Sequence, residues 1–343
     1  EIGGFPVMDM KKWMDDLREA PAKKAMPVLS FPSVQLMGIS VKTLISSSSY
    51  QAAGMKEIAR RVDSAASVSM MDLSVEAEAF GSAVKVSDDE VPTVVGRIVE
   101  TEEDAEALAV PAVGAGRTGL YVEAIGRACK LITDRPVFAG VIGPYSLAGR
   151  LLDVSEIMVL CYEEPELVHT VLKKATAFLI DYIRAYQATG AGGVVVAEPL
   201  AGLLSPALMH EFAAPYMKQI VDAVQNEEFL VIYHNCGGAV PGLVDDIVSS
   251  GAAAYHFGNA VDMKEMLEKM PSDVVVMGNI DPAGQFRGGT PESIYQATTE
   301  LMERCCAEHP NFVISSGCDI PPMAKWENID SFFRAVSDFY SRH

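Results

Sequence analysis

The chain has 343 residues, of which 49% are hydrophobic and 21% are charged, and its formal net charge is −19. This composition excludes a disordered chain and a bilayer-spanning segment, and the negative charge disfavours nucleic acid, because phosphate backbones would be repelled. The six cysteines are unevenly spaced, which predicts no disulfide framework. The N-terminus lacks a basic start followed by an apolar stretch, so no signal peptide is expected. We therefore expect a cytoplasmic protein with no membrane partner.

Short apolar runs alternate with longer amphipathic segments along the chain. Most of these runs are continuous and rich in β-branched residues, as expected for strands that are buried on both faces of a parallel sheet. The alternation predicts eight strands, at residues 26–31, 68–73, 137–142, 193–197, 229–233, 253–257, 274–277 and 312–315.

Helical segments fill the intervals between these strands. In the clearest one, residues 165–188, apolar side chains recur every three and four positions. Eight strands with interleaved helices predict an α/β fold, a (β/α)8 TIM barrel, in which residues 1–343 form a single domain. Residues 1–25 are predicted to be an N-terminal helical extension, and the long interval 74–136 after the second strand is predicted to be an insertion within the barrel.

Active sites of such barrels lie at the C-terminal ends of the strands, the end called the mouth below. His234 and Cys236 stand at the end of one apolar strand, and Cys318 follows the last strand. In an extended chain, side chains two residues apart point to the same face, so the imidazole of His234 and the thiolate of Cys236 can bind one ion. Three such ligands and one open position are typical of catalytic zinc. The alternative is that both cysteines are buried, small hydrophobic residues without metal.

The same residues resemble the zinc motif of the methylcobamide:coenzyme M methyltransferases, which belong to the uroporphyrinogen decarboxylase superfamily. The motif here is His234-x-Cys236, with Cys318 about eighty residues later. Three further segments, residues 140–149, 204–216 and 278–282, resemble that superfamily. The resemblance extends from about residue 26 to the C-terminus, and the three metal-capable residues select the methyltransferase branch.

The resemblance implies a zinc-dependent methyltransferase whose zinc is held by His234, Cys236 and Cys318. The zinc would activate a small thiol such as coenzyme M, and a methylated corrinoid (a cobalamin) would donate the methyl group. Nothing in the chain resembles a corrinoid-binding domain, so we expect a separate corrinoid-binding protein and a donor that is not tightly bound. Five further polar residues of the mouth are candidates for cofactor binding, namely Glu198, His256, Asn279, Asp281 and Asp319.

Related methyltransferases supply an acidic fourth ligand from the region of the sixth strand, but residues 255–260 contain no Asp or Glu. The fourth ligand therefore stays open between His256, Asn259, Glu198 and water. Asp319, Glu198 or Asp281 could instead orient the ligand histidine from behind. For each of these acids, a helix cap or a loop turn is an equal alternative.

Other functions stay open. Uroporphyrinogen decarboxylases need no metal and grip their substrate with an N-terminal arginine-rich segment, whereas residues 31–38 contain no arginine. A metal-free lyase of that type would be indifferent to changes at Cys236 and Cys318. A non-catalytic corrinoid-binding partner is the second alternative. Corrinoid-dependent methyltransferases that use tetrahydrofolate, or that demethylate aryl ethers or methylated amines, also stay open. A sulfonate on the acceptor would need a cation, for which Arg150 and Arg287 are candidates.

Overall fold

A computed structural model describes residues 8–342. Seven parallel strands form one curved sheet in the order β1-β4-β5-β6-β7-β8-β9, and the other two strands form an antiparallel pair. In chain order the strands are β1 (Ser67–Val68), β2 (Ala83–Lys85), β3 (Thr93–Val95), β4 (Val137–Ile142), β5 (Gly193–Ala197), β6 (Leu230–Asn235), β7 (Ala254–Phe257), β8 (Val275–Ile280) and β9 (Phe312–Ser316).

The first predicted strand is not a regular strand, but its segment closes the barrel. The Met26 N–H donates to the Ile314 carbonyl of β9 at 3.0 Å, and the Ala65 N–H, just before β1, donates to the Ala25 carbonyl at 2.9 Å. Pro27 has no N–H to offer to a ladder, which explains why the pairing stays irregular. The predicted (β/α)8 barrel is therefore confirmed, with seven regular strands and one irregular segment between the last strand and the first.

The other predicted strands agree with the structure except at their ends. β4 and β5 match the predicted bounds, while β6 extends past its predicted end to include His234. β1 is much shorter than predicted, since it ends at Val68. The chain turns further on at Asp72, whose carboxylate accepts hydrogen bonds from the N–H and the hydroxyl of Ser74. Because β6 includes His234, its ladder of backbone hydrogen bonds reaches into the mouth.

Helices surround the sheet. The predicted helix 165–188 is confirmed as α10, and no helix among residues 8–342 is long and apolar enough to cross a membrane. In chain order the α-helices are α1 (Met10–Glu19), α2 (Ser33–Met37), α3 (Val41–Ile45), α4 (Ser48–Arg61), α5 (Val75–Phe80), α6 (Glu102–Ala107), α7 (Thr118–Leu131), α8 (Pro144–Leu152), α9 (Ile157–Glu163), α10 (Pro165–Gln187), α11 (Pro206–Leu208), α12 (Ala214–Val224), α13 (Val244–Val248), α14 (Met263–Lys269), α15 (Pro291–Cys305) and α16 (Trp326–Arg342). Short 3-10 helices span Ala201–Leu203 and Val240–Gly242, and π-helices span Met209–Ala213 and Pro282–Arg287.

The predicted insertion, residues 74–136, contains α5, the β2–β3 pair, α6 and α7. α7 packs against α4 and leads the chain back into β4, so it takes the place of the helix between the first two sheet strands. That residues 1–343 form a single domain stays a prediction.

Two hydrophobic cores lie on opposite faces of the sheet. Leu230 and Ile232 of β6 belong to the core inside the barrel, whereas Val231 and Tyr233 belong to the larger core between sheet and helices. This alternation places His234, the next inward position, inside the barrel near its mouth. α1, from the predicted N-terminal extension, fills the opposite end, because its buried apolar side chains belong to the inner core.

Candidate metal centre

Three metal-capable side chains meet at the C-terminal ends of β6 and β9. His234 lies in β6, Cys236 follows the end of β6, and Cys318 follows the end of β9. One atom from each side chain, a ring nitrogen or a sulfur, lies within 4.8 Å of the other two. The structure thus brings together the three residues that the sequence predicts as metal ligands.

The atoms of this cluster fit a metal ion. His234 is 2% exposed, and its Nε2 is buried without a hydrogen-bond partner among residues 8–342. Such an orphaned atom costs about 1–3 kcal/mol, and a cation would satisfy it. Tetrahedral zinc would hold its nitrogen and sulfur ligands about 3.7 Å apart, so small side-chain movements would complete the site. Cys236 and Cys318 are half-buried, which leaves the cluster open on one side.

The two thiols influence each other's protonation, and both are free of disulfide bonds. A hydrogen bond from the Cys318 thiol lowers the pKa of Cys236. The same contact, together with burial, raises the pKa of Cys318 to about 12. Metal ligation requires both thiolates, and a bound cation would favour the loss of the second proton.

A glycine lets the backbone pack directly against this cluster. A β-carbon on Gly258 would lie 2.5 Å from the Cβ of Cys236, so the loop after β7 has room only for glycine here. The side-chain amide of Asn279 donates to the carbonyls of Gly258 at 3.0 Å and Val261 at 2.9 Å. Asn279, a predicted cofactor-binding residue, therefore holds the loop that packs on Cys236.

Two of the acidic candidates cap helices. Glu198 is 1% exposed and accepts a hydrogen bond from the Ser146 N–H, in the first turn of α8, at 3.1 Å. Burial raises the pKa of Glu198 to about 8. Asp281 accepts from the N–H groups of Ala283 at 3.0 Å and Gly284 at 2.9 Å, at the start of a π-helix. The Oε2 of Glu198 is buried and has no hydrogen-bond partner within residues 8–342. Asp281 thus serves as a helix cap, the alternative that the sequence left open, and Glu198 does so with one oxygen. That either acid orients the ligand histidine stays a prediction.

The third acidic candidate, Asp319, lies next to Cys318 in the chain. It accepts a hydrogen bond from the Met71 N–H at 2.7 Å, which ties the end of β9 to the segment after β1. Its other carboxylate oxygen is buried and has no partner within residues 8–342. Burial raises the pKa of Asp319 well above its usual value, and the nearby Cys318 and Asp72 add to this effect. Asp319 therefore positions the chain beside Cys318.

His256 lies behind His234 and does not occupy the open side of the cluster. Its Nδ1 lies 2.7 Å from the Nδ1 of His234, and its Nε2 lies 2.8 Å from the Oγ of Ser315. Burial, together with the adjacent His234 ring, lowers the pKa of His256 well below its usual value. Both ring nitrogens are engaged, so His256 is not available as a fourth ligand. Ser315 was not among the candidates predicted from the sequence, although Val313 and Ser315 are alternate residues of the last predicted strand and so share its inward face.

A second polar cluster lies beyond the end of β1. Arg117 pairs with Asp72 at 2.6 Å and with Glu78 at 2.8 Å, and the Tyr121 hydroxyl donates to Asp72 at 2.5 Å. The Asp72 side chain is fully buried, and both of its carboxylate oxygens have partners. Arg117 lies 45 residues further along the chain, and no local pattern marks this pairing in the sequence.

Comparisons with known proteins identify the family. The model described as uroporphyrinogen decarboxylase (URO-D) matches residues 21–339. Methylcobamide:CoM methyltransferase MtbA of Methanosarcina acetivorans is 27% identical over 276 residues, which is 78% of each protein. Uroporphyrinogen decarboxylase of Synechococcus sp. is 30% identical over 229 residues, covering 64% of this chain and 63% of the relative.

A solved structure has the same fold. The methyltransferase from Methanosarcina mazei superposes with a TM-score of 0.84 at 23% identity, covering 97% of this chain and 99% of that one. At this identity the likeness shows the fold, while the family model and the methyltransferase relatives bear on the class of protein. By these matches the chain belongs to the uroporphyrinogen decarboxylase (URO-D) family and is an enzyme of the methyltransferase kind.

Proposed function

We propose that the protein is a zinc-dependent methyltransferase that moves a methyl group from a methylated corrinoid to a thiol such as coenzyme M. One observation carries the proposal: His234, Cys236 and Cys318 converge, and the buried Nε2 of His234 has no partner among residues 8–342. The similarity to MtbA, named as a methylcobamide:CoM methyltransferase, supports the same reaction.

The residues of the cluster divide the chemistry between them. His234 supplies a neutral nitrogen and the two cysteines supply thiolates, so the donor set is rich in electrons. A zinc ion held by them would promote deprotonation of a thiol that enters from the open side. In the overall reaction the thiol sulfur gains the methyl group and its proton goes to solvent. The carbon–cobalt bond of the donor breaks, and both electrons stay on cobalt.

An anionic acceptor such as coenzyme M requires a cation near the mouth, and Arg150 is the better candidate. Arg287 is already paired with Glu90 at 2.9 Å. Arg150 is half-buried and forms no ion pair with any residue in the range 8–342. Ser146 lies one turn earlier on the same face of α8, and its hydroxyl accepts from the Leu200 N–H after β5. Arg150 therefore lies on the helix face that is turned toward the loop after β5.

We expect the methyl donor to arrive on a separate corrinoid-binding protein that docks over the mouth. Leu203 and Met323, which follow β5 and β9, are 50% and 43% exposed and offer apolar contacts there.

All six cysteines are free thiols, which supports the proposal that the protein works in the reducing cytoplasm.

Metal analysis tests the proposed centre. Purified wild type and a Cys306→Ala control should contain about one zinc per chain, whereas Cys236→Ala and Cys318→Ala should contain none. Demethylation of methylcobalamin should then depend on an added thiol and on the same two cysteines. If wild type contains no zinc, or if neither cysteine change affects it, the proposal fails and a metal-free lyase takes its place.

Substrate charge tests the assignment of Arg150. Arg150→Gln should raise the KM for coenzyme M by about 10-fold or more, because a charge-assisted contact is lost. The KM for 2-mercaptoethanol, a neutral thiol, should stay that of the wild type. An equal rise for both thiols would contradict the assignment, since it would indicate a distorted mouth.

A further inference from the structure

A line of buried hydrogen bonds crosses the barrel interior from β6 to the irregular closing segment. The Nδ1 atoms of His234 and His256 are 2.7 Å apart, and the Nε2 of His256 lies 2.8 Å from the Oγ of Ser315. Ser315 in turn donates to the carbonyl oxygen of Met26 at 2.8 Å. His234 and His256 are each 2% exposed and Ser315 is 0% exposed, so bulk water offers them no competing partners.

The acceptor at the far end of this line of hydrogen bonds determines which atom carries each proton. The carbonyl of Met26 can only accept, so the single hydroxyl proton of Ser315 points to it. The Oγ of Ser315 then accepts from His256, which places the proton of His256 on Nε2 and leaves a lone pair on its Nδ1. That lone pair accepts from the Nδ1–H of His234. The carbonyl of His256, 3.3 Å from the same nitrogen, is a second acceptor for this proton.

We propose that His256 and Ser315 are positioning residues that hold His234 in its Nδ1–H tautomer. In this tautomer the Nε2 of His234 carries a lone pair, and it is the nitrogen that has no partner within residues 8–342. The inference rests on the proposed function, because it concerns the ligand histidine of the same metal centre. The line begins at a backbone carbonyl, which can only accept, so the fold selects the tautomer before a metal arrives. It takes the role that the sequence analysis expected of an acid.

Nitrogen NMR of histidine-labelled, metal-free protein tests the tautomer directly, because protonated and unprotonated ring nitrogens have different shifts. The signals of His234 are assigned by their loss in His234→Gln. We expect a protonated Nδ1 and an unprotonated Nε2 on His234, and the opposite arrangement on His256.

Zinc affinity, measured by competition with a chelator, tests the consequence. His256→Phe retains a ring but removes the acceptor, and should weaken zinc binding about 10–100-fold. His256→Gln retains an amide oxygen that can accept from His234 and should restore most of the affinity. Ser315→Ala should weaken binding, whereas Ser316→Ala should not, because the Ser316 hydroxyl accepts from the Val28 N–H at 3.0 Å.

A protonated Nε2 on His234 in the wild type would overturn the inference. Equal affinities in wild type and His256→Phe would also overturn it, as would equal losses in the Phe and Gln variants, which would indicate packing rather than hydrogen bonding. If His256→Phe does not fold, the comparison of Ser315→Ala with Ser316→Ala decides. None of these readouts requires methyl transfer, so a failure of the proposed reaction is distinguishable from a failure of this inference.

Discussion

Two polar clusters at the mouth differ in how their buried atoms are satisfied. Beyond β1, the carboxylate of Asp72 is bonded by Arg117 and Tyr121, so it is paired with a cation and both of its oxygens have partners. Beyond β6 and β9, a ring nitrogen and two thiols converge, and no Lys or Arg side chain within residues 8–342 is paired with them. A buried polar cluster therefore points to a ligand where electron-pair donors meet and nothing neutralises them, whereas a self-paired cluster holds the fold together.

The largest loss of stability is expected in the self-paired cluster. Arg117→Met would leave Asp72 buried without its cation and should lower the free energy of unfolding by about 3–5 kcal/mol. Urea denaturation of the metal-free protein measures this loss. Arg127→Met, on the same helix, is the matched control, because its pair with Glu123 is exposed and should contribute less than about 0.5 kcal/mol. If Arg117→Met loses zinc but retains its stability, the conclusion that the self-paired cluster holds the fold together is wrong.

The metal-capable cluster should make stability depend on zinc. Free zinc at about 100 times its dissociation constant should raise the free energy of unfolding of the wild type by about 2.7 kcal/mol. Cys318→Ala should gain none of this, because a ligand is missing. Thermal unfolding with zinc and with a chelator measures the difference. Equal gains in both proteins would place the bound zinc elsewhere and remove the contrast between the clusters.

A smaller effect is expected where the backbone packs on the metal-capable cluster. Gly258→Ala would bring a methyl group against Cys236, which should cost about 1–3 kcal/mol and weaken zinc binding as Cys236 moves. Gly238→Ala is the control, because a β-carbon there meets no atom within 4 Å. Chelator competition and urea denaturation measure both effects. Equal behaviour of the two variants would show that Gly258 does not shape the site.

The smallest loss of stability is expected when one hydrogen bond is removed from the self-paired cluster. Tyr121→Phe removes one hydrogen bond from Asp72 but leaves Arg117 in place, and should lower the free energy of unfolding by about 1–2 kcal/mol. Tyr295→Phe removes a hydroxyl that is bonded to Asp338 at 2.8 Å in a more exposed position, so its cost should be lower. A loss from Tyr121→Phe as large as that from Arg117→Met would show that the hydroxyl, not the ion pair, dominates.

The ligand cluster could be predicted because each ligand stands beside the end of a recognisable strand. β4 and β5 were predictable to the residue, since each is a continuous apolar run. The contact of His256 with Ser315 could not be predicted, because it depends on how strands two places apart face each other across the closed barrel. Glu198 and Asp281 were ambiguous for a related reason, since an acid after a strand is equally suited to cap a nearby helix.

The position of helix α1 has a consequence for the order in which the substrates bind. Its apolar side chains fill the N-terminal end of the barrel, so small molecules reach the cluster through the mouth. For the proposed reaction, a docked corrinoid protein would cover that same entrance. The thiol must then be seated before the protein arrives, and the methylated product leaves after it departs. Steady-state kinetics should therefore follow a compulsory order in which the thiol binds first.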